Sequence, residues 1–135
     1  MVLCERHISL IMTARKRSKA LILDREPLYE GPFKAMMERL DWECEVVTSR
    51  ENAVARLKDA HFDVLLTEYR MPQGNALHFV CCLRQEGIYL PAIVMSADAQ
   101  ALRLTPKELL TIPAVLHKPF TVSELNAALK SALAV

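Results

Sequence analysis

The chain has 135 residues, with 17 basic and 16 acidic side chains, a formal net charge of +1 and 52% hydrophobic residues. That length suffices to bury a real core as one domain, and the apolar content excludes a disordered chain. The near-zero charge balance supplies no global field for nucleic acid or an anionic membrane, and no apolar run approaches the roughly 20 residues that span a bilayer.

Residues 1–17 read as an N-terminal extension and residues 18–135 as the domain. The apolar stretch within residues 1–12 is too short and too interrupted for a secretory signal, and it lacks a small-residue cleavage site. Met12 precedes a basic lead-in, Arg15-Lys16-Arg17-Ser18-Lys19. Either Met12 is the true start, or the extension is genuine and packs on the surface or on a partner.

Ala20-Leu21-Ile22-Leu23 predicts a buried first strand, and Phe33, Met36, Met37 and Leu40 recur at helical spacing after it. Pro32 predicts that this helix begins there or is kinked there. Trp42, with Leu40, is expected as a rim hydrophobe closing the helix. Glu43 to Val47 predicts the second strand. Thr48 with Glu51 forms a capping-box pattern before a helix that turns Ala53, Val54, Leu57 and Ala60 inward. Val64 to Thr67 is the third strand. In Met71-Pro72-Gln73-Gly74-Asn75, the glycine and asparagine suit positive φ. The next helix carries Leu77, Val80, Cys81 and Arg84 and ends near Gly87, and Pro91 to Met95 is strand four. Ala99 to Leu104 is weakly helical, whereas Thr105-Pro106-Lys107-Glu108 reads as a fresh N-terminus, so a broken or shortened fourth helix is expected. Ala114 to His117 is strand five, and Thr121 with Glu124 caps a last helix bearing Leu125, Ala128, Leu129 and Leu133.

Cys4, Cys44, Cys81 and Cys82 show no metal-ligand spacing and no C-x-x-C, and are expected as reduced, mostly buried thiols of a cytoplasmic protein. His7, His61, His78 and His117 lie far apart and read as surface or satisfied histidines. The three glycines form no phosphate-binding motif, so a nucleotide enzyme is disfavoured.

Apolar strands alternating with helices predict a parallel sheet covered on both faces, with the site at the carboxyl ends of the strands. Polar groups gather at those ends: Asp24, Arg25 and Glu26 after strand one, Glu68 after strand three, Ser96 after strand four and Lys118 after strand five. Wet strand ends would explain any one of them singly, but less readily four together.

The segments Leu21-Ile22-Leu23-Asp24-Arg25-Glu26-Pro27, Leu65-Leu66-Thr67-Glu68-Tyr69-Arg70-Met71-Pro72, Val94-Met95-Ser96-Ala97 and His117-Lys118-Pro119-Phe120 resemble, in order and spacing, the signature segments of response-regulator receiver domains. The resemblance covers about residues 18–134. It implies an α/β flavodoxin-like fold, a doubly wound parallel sheet of five strands in the order 2-1-3-4-5, and a part in two-component signalling. In this family an aspartate at the end of strand three takes a phosphoryl group from a histidine kinase. An acidic pair after strand one holds Mg²⁺, a serine or threonine after strand four bonds the phosphoryl oxygens, and a lysine before a cis proline pairs with the charge. Asp24, Ser96 and Lys118 match those roles, with Pro119 as the cis proline.

This sequence departs from the family pattern at three positions. Glu68 stands at the phosphoacceptor position, and Arg25 stands at the second acidic position, which in the family touches the metal. Val115 stands where the family often carries an aromatic coupled to the residue after strand four. Replacing an anion with a guanidinium removes a ligand and adds repulsion, so no useful Mg²⁺ binding and no bound cofactor are expected. The extra methylene of Glu68 lets its carboxylate reach Lys118 or Arg25.

The leading expectation is therefore a stand-alone, phosphorylation-independent pseudo-receiver: not an enzyme, with no catalytic residue and no metal site. Its partner would be a histidine kinase or a downstream effector, not nucleic acid or membrane, and homodimerisation through the last helices is a further route of output. The alternatives are a working Mg²⁺-dependent phosphoacceptor that uses Asp24 and Glu26, and an anion- or small-molecule-sensing module of the same fold that uses Arg25, Arg70 and Lys118.

Overall fold

The computed structural model describes residues 17–98, 102–110 and 112–134. The strands are β1 (Lys19–Leu23), β2 (Glu43–Val47), β3 (Val64–Glu68), β4 (Arg70–Met71), β5 (Gly74–Asn75), β6 (Ala92–Ser96) and β7 (Ala114–His117). The helices are α1 (Glu30–Arg39), α2 (Arg50–Asp59), α3 (Ala76–Gln85), α4 (Pro106–Leu109) and α5 (Val122–Leu133). Five strands form one sheet in the order β2-β1-β3-β6-β7, with every pair parallel. Taken as the five long strands, this is the expected 2-1-3-4-5 arrangement. The short β4–β5 ribbon, which the sequence did not suggest, is antiparallel and pairs Arg70 with Asn75.

Side chains alternate across the sheet with the period of two that a pleated strand imposes. Ala20, Ile22, Val64, Leu66, Ile93 and Met95 face Phe33 and Met37 of α1 and Leu125 and Leu129 of α5. Leu21, Leu23, Leu65, Ala92 and Val94 face Ala53 of α2 and Phe79, Val80 and Leu83 of α3. Because β1 and β3 are buried on both faces, they read as unbroken apolar runs.

The helix ends depart from expectation in informative ways. A 3₁₀ turn at Pro27–Tyr29 leads straight into α1, which starts two residues before Pro32. Pro32 then lies in the first turn, where its missing N–H costs no helical bond. α1 ends with Asp41 at φ 61°, Asp41 N bonded to Glu38 O and Trp42 N to Met37 O, the Schellman pattern with aspartate in the left-handed position. Trp42 therefore packs in the core at 8% exposure, rather than at a rim. Ser49, not Thr48, caps α2 by accepting from Asn52 N; Asn52 then stands at the third helical position, so no capping box closes, and Glu51 Oε1 accepts from Gln73 Nε2 instead. Ala60 lies just past α2, in extended backbone.

Gly74 takes φ 127°, but Asn75 stays at −119° and caps α3 through its side chain. Gly87 at φ 82° ends α3 as expected. α4 is the shortened helix foreseen, a single turn with the Thr105/Glu108 capping box, and residues 102–105 are non-helical. The Thr121/Glu124 box opens α5, but Ala132 takes the inward position and Leu133 is 51% exposed.

Cysteine burial was overstated. Cys81 is exposed, while Cys44 and Cys82 are half-buried free thiols, and burial pushes the Cys44 thiol up. Cys4, His7, Met12, almost all of the expected extension at 1–17 and residues 99–101 of the weak helix lie outside the described residues. No described helix is long and apolar enough to cross a membrane.

Candidate functional site

The parallel registers bring the strand ends together: Leu23 pairs with Thr67, Glu68 with Met95, and Ser96 with His117. Asp24, Glu68, Ser96 and Lys118 accordingly converge from four strands. Asp24 is fully buried, a state a carboxylate tolerates only with partners. Lys118 Nζ lies 2.5 Å from Asp24 Oδ2, and Glu26 N donates to Asp24 Oδ1 at 2.9 Å. The Lys118–Pro119 peptide is cis.

Glu68 binds both cations that the sequence placed within its reach. Its Oε2 accepts from Arg25 N at 2.9 Å and from Arg25 Nε at 3.4 Å, and its Oε1 lies 3.5 Å from Lys118 Nζ. Lys118 thus bridges two carboxylates, and Arg25 closes the group from the solvent side at 51% side-chain exposure. Tyr29, which sequence reasoning passed over, places its ring centroid 4.8 Å from Lys118 Nζ. An aromatic at the head of the helix after strand one was the available signal.

Ser96 is nearly buried, and its Oγ accepts from Asp98 N at 3.0 Å. No hydrogen bond among the described residues joins Ser96 to Glu68. Val115 is half-buried among apolar side chains on the α2/α3 face. Glu26 turns away from the group, because its Oε1 accepts from Leu28 N at 3.2 Å and caps the 3₁₀ turn. A cavity of about 310 Å³ opens beside the cluster, lined by Arg25, Tyr29, Glu68, Arg70, Ser96 and Lys118 among others.

These residues do not fit a divalent cation. Both Asp24 oxygens are engaged, Glu26 faces elsewhere, and a guanidinium leans on the remaining carboxylate. Mg²⁺ demands near-octahedral oxygen ligation, which this arrangement lacks. What the cluster does chemically is neutralise itself: Asp24 and Glu68 against Lys118 and Arg25.

Of the histidines, His61 meets Asp63 at 3.2 Å, His78 contacts Arg50, and His117 is exposed at the end of β7. They do not assemble with one another or with the cluster.

The family model described as response regulator receiver domain matches residues 20–130. The chain is 28% identical over 118 residues to the transcriptional regulatory protein TrcR of Mycobacterium tuberculosis, covering 85% of this chain and 45% of that protein. To the transcriptional regulatory protein BasR of Escherichia coli it is 27% identical over 118 residues, covering 85% of this chain and 52% of that one. To the sensor protein EvgS of Escherichia coli it is 25% identical, covering 87% of this chain and 10% of that one. The chain therefore spans about half the length of the two regulators and a tenth of the sensor. Among solved structures, a CheY-like receiver domain from Methylobacillus flagellatus superposes with a TM-score of 0.76 at 20% identity, covering 87% of this chain and 99% of that one. A sensor protein from Polaromonas gives 0.77 at 20% identity, covering 88% and 98%. At these identities the likeness establishes the fold.

Proposed function

Because the chain belongs to the response regulator receiver domain family, we propose that it works in two-component signalling as a pseudo-receiver, residues 18–135, acting by protein contact without phosphoryl transfer. The observation that carries this reading is the closed ion cluster. Glu68, at the acceptor position, is held by Arg25 and Lys118, the side chains at the metal and phosphate-pairing positions.

Phosphoryl transfer rests on positioning and charge neutralisation around the transferred group. Here the neutralising charges are committed to the protein's own carboxylates before any phosphoryl donor arrives. The family switch would draw the serine after strand four toward the acceptor, but Ser96 bonds Asp98 N instead. The cluster therefore holds a resting arrangement, and the partner, a histidine kinase or a downstream effector, meets a surface whose state this site does not change.

The test is titration with Mg²⁺ and with beryllofluoride, followed by amide shifts of Arg25, Glu68, Ser96 and Lys118. Trp42 is a poor reporter because it lies beside the start of β2, at the opposite end of the sheet. No saturable response at millimolar metal is expected. Saturable shifts spreading to Ser96 and Lys118 would restore a working phosphoacceptor. Shifts with inorganic phosphate alone would favour an anion sensor at the Arg25, Arg70 and Lys118 cavity.

A further inference from the structure

The cysteines show no metal-ligand spacing among themselves, but His78 and Cys82 stand four residues apart on α3. Residues at i and i+4 share one helix face, the spacing by which the two histidines of H-E-x-x-H hold a single zinc ion. Here the two side chains converge, with His78 Nε2 3.7 Å from Cys82 Sγ. A Zn–N bond of about 2.05 Å and a Zn–S bond of about 2.3 Å, opened to the tetrahedral angle, put the two ligand atoms about 3.6 Å apart. The pair therefore has the bite of a zinc chelate before any metal arrives.

The surroundings orient the ring and leave the pair accessible. His78 is exposed, and Cys82 is a half-buried free thiol. Gly74, in the β4–β5 ribbon, brings its backbone against the ring: a Cβ there would stand 3.4 Å from His78 Nδ1. Arg50 Nη1 lies 3.5 Å from that same Nδ1 and 3.4 Å from Gln73 O. A ring that binds metal through Nε2 carries its proton on Nδ1, so Arg50 must then give up the ring and keep Gln73. Glu86, one turn beyond Cys82, is tied to Lys58 at 2.7 Å. Among the described residues, no group of three His, Cys, Asp or Glu side chains is placed to hold a metal ion.

A structural zinc site takes four protein ligands, and this face of α3 supplies two. A twofold axis through the metal supplies the same two again. We propose that His78 and Cys82 form half of a Cys₂His₂ site for Zn²⁺, completed by the same pair from a second copy, so that zinc joins two chains through their α3 faces. Cys82 releases its proton to solvent as the Zn–S bond forms, and His78 binds as the neutral imidazole. No residue of the ion cluster takes part. The inference therefore stands or falls apart from the pseudo-receiver reading, and it places the pairing surface away from the last helices.

Co²⁺ in place of zinc gives the test a spectrum, since a thiolate ligand adds a charge-transfer band and a tetrahedral site adds intense d–d bands. The full chain, kept reduced without added thiol, should show both, saturating at one Co²⁺ per two chains. Zn²⁺ should displace the Co²⁺ and double the mass in sedimentation equilibrium. Cys82→Ser should abolish the band and the dimer, whereas Cys44→Ser and Cys81→Ser should leave both in place. His78→Ala, at an exposed position, should abolish the dimer too, which keeps the test valid should Cys82→Ser loosen the helix. Arg50→Gln, which removes the competing donor at Nδ1, should tighten binding several-fold. A missing thiolate band, saturation at one metal per chain with the chain still monomeric, or a band that survives Cys82→Ser and vanishes in Cys4→Ser would overturn the proposal.

Discussion

Glu68 adds one methylene to the carboxylate the family uses, and that length lets a single side chain reach both a backbone N–H and two cations. Arg25 answers it with its backbone N–H at 2.9 Å and with a single, longer guanidinium contact through Nε at 3.4 Å. On the proposed reading, phosphorylation needs both positions changed. Glu68→Asp alone should remain unlabelled by a small phosphodonor in Mg²⁺, while Glu68→Asp with Arg25→Asp should label; strong labelling of the single variant would remove Arg25 as the block. Lys118 also bears on stability, because it is the counter-ion of a buried carboxylate. Removing it leaves the fully buried Asp24 without its counter-ion, so Lys118→Met should cost about 3–5 kcal/mol in urea unfolding. Adding Asp24→Asn should recover much of that loss. The residues of this cluster were legible because strand order and polar strand ends together dictate convergence. Tyr29 was not, because an aromatic three residues past Glu26 looks like any helix lead-in until its ring is seen over Lys118.

At the level of elements, all five long strands were readable from unbroken or alternating apolar runs, as were the two capping boxes at Thr105 and Thr121. The one cap that departs from expectation had two hydroxyl residues competing for one role. Thr48 and Ser49 are adjacent hydroxyls that both fit the N-cap pattern, and the helix starts at Arg50, which puts Ser49 Oγ on Asn52 N. The Schellman end of α1 can be tested directly. A β-branched residue in the left-handed region is costly, so Asp41→Val should lose about 1–2 kcal/mol, whereas Asp41→Gly should match or exceed wild type in thermal melting.

Edge strand β2 carries a second testable element. Arg56 Nε and Nη2 grip Glu45 Oε2 and Oε1 at 2.8 and 2.9 Å, with Lys19 beside them, and hold the Glu45 carboxyl down at about 2. A depressed folded-state pKa gives stability that is complete above the unfolded value of about 4.3 and lost as pH falls toward about 2. Partial solvent exposure limits the effect to about 1 kcal/mol. Glu45→Gln should flatten the stability profile in that window and leave the rest of it in place.

For the whole molecule, burial is greatest at the centre of the sheet and least at its margins. Leu21, Ile22, Leu65 and Leu66 are fully buried, while Leu110 is 71% exposed beside the one-turn α4. Native-state hydrogen exchange should therefore report global unfolding for amides of β1 and β3, and low-energy local opening around residues 102–110. The ladder that protects β3 extends through its last residue: Glu68 is in register with Met95, and Tyr69 N bonds Met95 O. With its backbone fixed in β3, the Glu68 carboxylate can leave Arg25 or Lys118 only by side-chain rotation, which needs no opening of the sheet. If, as proposed, the acceptor position takes no phosphoryl group, it keeps no record of past input, and the duration of the signal becomes the residence time of whatever protein is bound.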